Sequence, residues 1–176
     1  MKKIEIVFTR SKKFIPVGSW FIRFYTGKPY SHVAKSSNIR EWGNRYFQAS
    51  EGKVNYEYEE FFHKKHYVVK RFILEVPDEI DRLIKEACYK EAGNNYGVMQ
   101  NIGIILVDLC GLFGYYIKNP FKKGRNCSEL IYTKVIQNLI ECNDYNPDTI
   151  KPHHIEKILR EKCGEWVVAI EEERCG

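Results

Sequence analysis

Three features of the 176-residue sequence predict an α+β fold. Strand-like alternation dominates the N-terminal half, capped helical patterns dominate the C-terminal half, and one strand-like run returns at the end. No repeat, low-complexity tract or Gly/Ser-rich linker divides the chain. Residues 1–176 are therefore read as one domain, long enough for a real core.

The elements follow in order. "KIEIVFT" sets Ile4, Ile6 and Phe8 against Glu5, Val7 and Thr9, as a strand does. "GSWFIRFYTG" is apolar and bounded by glycines, which suits a short helix. "YSHVAKSS" and "RYFQASEG" read as two strands joined through residues 38–44. "HYVVKRFILEV" is rich in branched residues and reads as a central strand. Asp78 then caps a helix with acidic residues in its first turn and Gly93 past its end. A helical, apolar stretch runs from Tyr96 to Ile117. A helix beginning at Cys127 follows, then "KPHHIEKILREKCG", with Pro152 in the first turn and Gly164 beyond the last. "EWVVAIEEE" closes as a strand.

Composition narrows the function classes. The net charge of +5, from 28 Lys+Arg and 23 Asp+Glu, is mild and spread along the chain. It suits an anionic substrate or surface slightly better than a cationic one. No basic stripe with interleaved aromatics argues for nucleic acid. Cysteines fall at 88, 110, 127, 142, 163 and 175 without a C-x-x-C pair, so neither zinc nor any other cofactor is expected. "MKKIEIVFTRSKKF" lacks an apolar signal core, which predicts a cytoplasmic product with reduced thiols. Residues 102–117 are nearly all apolar, but 16 residues with Asp108 among them fall short of the ~20 that span a bilayer. A buried helix or an insert lying over the core is expected there, without stable membrane insertion.

Cys127 stands at the entrance of its helix rather than inside the apolar stripe. Asn126 followed three positions later by Glu129 resembles a capping box, which puts Cys127 in the first turn. Unpaired N–H groups and the positive helix end favour a thiolate there, and Arg125 adds positive charge. The same N–H groups could hold an oxyanion. The other reading is an inert buried cysteine that happens to start a helix. Among five histidines, His153 and His154 read as surface groups, and His63 and His66 flank Lys64–Lys65 in a solvated turn. His32 lies in a strand pattern, sharing a face with Tyr30 and Ala34. It is either a satisfied core residue or a base aimed at a helix N-terminus. Gln48, Ser50 and Glu51 on the next strand are candidates to orient it.

"GSWFIRFYTGKPYSHV", "QASEGKV", "NNYGV", "NCSELIYTKVI" and "NPDTIKPHHI", in this order, resemble the circularly permuted branch of the NlpC-type papain-like cysteine peptidases and amidases. The YiiX-like group is the nearest likeness, and lecithin:retinol acyltransferase is a relative in the same branch. The resemblance covers residues 18 to about 155. It implies an antiparallel sheet, open or curled into a small barrel, packed on helices that carry the nucleophile. It implies Cys127 as nucleophile, His32 as base and Glu51 as orienting residue, with Asn44 or Gln48 as alternatives. Tyr96, with Tyr30 and Gln48, is expected to contact substrate. The implied chemistry is acyl transfer from a cell-wall peptide or a lipid ester. The missing export signal suggests a phage-borne enzyme released by lysis, or a cytosolic substrate. A non-catalytic binding or virion-associated module of the same fold is the alternative. The oligomeric state is left open.

Overall fold

The computed structural model describes residues 1–12, 17–39, 43–50, 52–95, 97–121 and 126–173. Its centre is one six-stranded sheet in the order β4-β3-β2-β1-β5-β6, every neighbouring pair antiparallel. The strands are β1 (Lys2–Ser11), β2 (His32–Ile39), β3 (Gly43–Ser50), β4 (Lys53–Tyr58), β5 (His66–Val76) and β6 (Val167–Glu172). The sheet is open, with β4 and β6 at its edges, and not a closed barrel. The helices are α1 (Val17–Thr26), α2 (Glu59–Lys65), α3 (Asp78–Glu91), α4 (Val98–Leu112), α5 (Cys127–Ile131), α6 (Gln137–Leu139) and α7 (Pro152–Glu161). A π-helical stretch, Tyr132–Ile136, joins α5 to α6. The α+β class is thus realised.

Strand alternation sorts side chains onto two faces. Ile4, Ile6, Phe8, Phe47, Phe72 and Leu74 meet Ile84 of α3, Leu130 and Ile131 of α5 and Ile155 and Leu159 of α7 in the main core. Val7, Ala34, Tyr46, Phe62 and Val68 form a smaller core under α2 on the other face. Lys35 and Ser37 point into the main side and are buried, and Lys35 Nζ donates to Ser37 Oγ at 2.7 Å. The polar run after His32 therefore hides satisfied groups. On β5 the pairing shifts between Phe8 and Thr9 of β1, leaving Val69 as an extra residue. That bulge resets the alternation, so Val68 serves the smaller core although Phe72 and Leu74, at even spacing from it, serve the main one.

Several expectations are corrected. β4 and α2 were not foreseen. Tyr58 passes directly into Glu59 with no Gly or Pro between them, and a seven-residue helix is too short to show periodicity. Asp78 is the first residue of α3; Pro77 holds the cap position without a side-chain bond. Gly93 does end that region, at φ +93°, and its N–H donates to Val54 O at 2.8 Å. Tyr30 precedes β2 and joins the main core, whereas Ala34 joins the smaller one, so the two do not share a face. Within α4, Ile104 is buried, but Leu106, Leu109 and Leu112 are exposed. The chain then folds back along the helix. A Cβ at Gly103 would collide with the Asn119 side chain.

Candidate active site

β1 and β2 bring the first pieces together. Thr9 pairs with His32 across the sheet, Ser31 N–H donates to Thr9 O at 3.0 Å, and β2 begins at His32. α5 packs against β2 and β3 with its first residue at this end of the sheet. Asn126 caps α5: its side chain accepts from Glu129 N–H at 2.7 Å, the expected contact. Asn126 Nδ2 is buried without a hydrogen-bond partner, so a donor is left over beside Cys127.

Cys127 and His32 are in contact. Burial opposes the thiolate, but the His32 ring, the Val33 N–H and the Ser128 hydroxyl outweigh it and lower the Cys127 pKa. Burial also opposes the imidazolium, but Cys127, then Gln48 and Glu57, outweigh it and raise the His32 pKa. The pair thus favours thiolate and imidazolium together. His32 Nε2 lies 2.8 Å from Gln48 Oε1, which leaves Nδ1 for the sulfur.

Gln48 is fully buried and does not stand alone. Its Nε2 donates to Glu57 Oε2 at 2.6 Å, and Glu57 Oε1 accepts from Lys65 Nζ at 2.7 Å. A carboxylate only accepts, so Glu57 fixes which end of the Gln48 amide faces His32. The carbonyl end faces the ring and requires a proton on Nε2. Nδ1 is then the nitrogen able to take a proton from the thiol. The register explains the reach: Gln48 pairs with Asn55, and Glu57 is its diagonal neighbour on the same face of β4. His66 completes the surroundings, its ring stacked on His32 with centroids 5.2 Å apart.

A small cavity opens at the sulfur. Ile22 and Tyr25 of α1, Ile104 and Ile105 of α4, and Ile150 and Pro152 before and in α7 give it apolar walls. Asp108 and Lys151, paired with each other, are its charged wall.

Cys127, His32 and Gln48 therefore come together. Glu51, Tyr96 and Arg125 lie outside the described residues. Asn44 is away from the ring; its side chain donates to Glu59 at 3.2 Å. Tyr30 is not among the cavity walls: its hydroxyl is bound to Glu156 in the core, which argues for packing rather than substrate contact. His66 belongs to the site and not to a solvated turn. His153 and His154 are half-buried, and their pKa values are pushed down to about 4, chiefly by burial. Glu57 escapes the sequence reading because β4 does; with β4 recognised, alternation puts Glu57 on the Gln48 face. Among the other thiols, burial pushes Cys88 up to about 11 and Cys163 up to about 12. No model of a known protein family matches the chain, and no curated protein does.

Proposed function

We propose that the protein is a thiol-dependent acyl hydrolase, an amidase or peptidase in reaction type, acting through Cys127, His32 and Gln48. The observation that carries this reading is the contact of buried Cys127 with the His32 ring, with Gln48 bound to the far ring nitrogen. The histidine-before-cysteine order and the sheet-and-helix arrangement support a permuted papain-like fold, and the motif resemblance supports the same family. In the reaction the Cys127 thiolate attacks the substrate carbonyl carbon. N–H groups of the first α5 turn and the spare Asn126 Nδ2 are the donors for the oxyanion. Collapse breaks the bond to the leaving group, which takes its proton from His32. A water then gives its proton to His32 and attacks the thioester, and the thiolate departs. Glu57 acts through Gln48 as a positioning residue.

Intact mass after incubation with an activated acyl ester tests this. One acyl group should add to the wild-type chain at Cys127 and none there to Cys127→Ala. Equal labelling of Cys110 and Cys127, or no adduct at Cys127, would refute it.

A further inference from the structure

We propose that the exposed half of α4 and the chain after it, through residue 121, form a docking face for an anionic lipid bilayer surface. α4 is apolar nearly all round, a pattern of buried helices, yet its later turns face solvent. Leu109, Leu112, Phe113, Tyr115, Tyr116 and Ile117 are all exposed, Phe113 by 78% and Tyr116 by 98%. Single exposed apolar side chains are ordinary; a run of this density marks an interaction surface. The Asn119 contact at Gly103 folds this run back beside the helix, so the exposed groups gather at one end of it.

The charges select the occupant. From residue 97 to 126 the sequence carries Lys118, Lys122, Lys123 and Arg125 against one acid, Asp108. Asp108 is already paired with Lys151. Lys118 within the exposed run, and three more basic residues following it in the sequence, complement an anionic lipid surface. A second copy would oppose the same basic residues to themselves in a two-fold contact. Tyr115 and Tyr116 present rings with a polar tip, the type that settles at headgroup level. α4 has 15 residues, about 22 Å of helix, against about 30 Å of hydrocarbon, so it lies in the interface rather than across it. No helix among the described residues is long and apolar enough to cross a membrane. The docking face and the cavity at Cys127 share α4, whose Ile104, Ile105 and Asp108 wall the cavity.

Co-sedimentation of the full chain with vesicles tests the face. The vesicles are phosphatidylcholine alone, or the same with about a third phosphatidylglycerol. The wild type should pellet with the anionic vesicles and far less with the neutral ones. Leu112→Ser, Phe113→Ser and Tyr116→Ser combined should lower the bound fraction at least about tenfold. These side chains are exposed, and an unchanged circular dichroism spectrum verifies the fold. Lys118→Glu should weaken only the anionic binding. Cys127→Ala should pellet like the wild type, so loss of docking and loss of acyl chemistry are read separately. A wild type that stays in the supernatant with anionic vesicles overturns the proposal. So does a triple variant that pellets as well as the wild type. A wild-type dimer that the triple variant dissociates, without vesicle binding, assigns the face to a second copy instead.

Discussion

Two regions of this molecule use the same residue types and set their protons in opposite ways. At the junction of β2 and α5, buried Cys127 has a lowered pKa and His32 a raised one. Around α7, Cys163 is pushed up to about 12 while His153 and His154 are pushed down to about 4. Burial acts in the same direction on both, against every charge. The difference lies in partners. Cys127 meets an imidazole, a backbone N–H and a hydroxyl. His153 and His154 meet each other and Lys151. A buried thiol is inert by default, and a second ionisable group of opposite sign reverses that.

The largest break of this contrast is His32→Ala. It should turn Cys127 into a thiol like Cys163 and remove the base. Acylation near neutral pH should fall by about 10²-fold or more, read as adduct formation against time. Restoring the rate only at alkaline pH would locate the loss in thiolate formation.

Glu57→Gln comes next. The new amide can donate or accept, so Gln48 loses its fixed orientation. A lost charge-assisted bond costs about 1.5–3 kcal/mol, or about one to two decades of rate if it falls on the transition state. Melting temperature should fall as well, because Glu57 also pairs with Lys65 at 2.7 Å. A rate equal to wild type would confine Glu57 to its ion pair with Lys65.

Cys163→Ser sharpens the other side. A hydroxyl in that buried site should cost about 1–3 kcal/mol in denaturant unfolding and leave the acylation rate unchanged.

The smallest effect is the acid slope of stability. The folded pKa values of His153 and His154 lie near 4, below the ordinary 6.5. As pH falls, the unfolded chain binds these protons first. Their contribution is full above about pH 6.5 and lost as pH falls towards 4. Glu156, held down to about 2 against burial by Lys70, Tyr30 and Arg160, adds a second loss between about 4.5 and 2. Urea midpoints from pH 7.5 to 5 should decline, and less steeply in His154→Phe.

Much of this was legible in the chain because local pattern decided it. Alternation marked β1, β2, β3 and β5, and Pro152 and Gly93 marked helix ends. Asn126 and Glu129 marked the cap that starts α5. What was illegible depended on long-range register. Gln48 is one of three candidates in the sequence, and the hydrogen bond between its Oε1 and His32 Nε2 singles it out. Glu57 had no signal, because its partner lies nine residues earlier in the chain, across the β3–β4 pairing. Leu106 and Leu109 read as core since composition cannot say which turns of an apolar helix a sheet will cover.

The π-helical stretch Tyr132–Ile136 gives the helix of the nucleophile an unusual tolerance. Each residue of an α-helix advances the direction of its side chains by about 100°. A wide turn absorbs an added residue while the flanking turns keep their phase. Shortening the chain by one residue inside Tyr132–Ile136 would tighten that turn and leave Cys127 aimed at β2. The same shortening inside Gln137–Leu139 would leave the wide turn in place and swing one end of the helix by about 100° against the other. The bearing of the sulfur is thus governed more than a full turn downstream of it, by the pitch of the backbone.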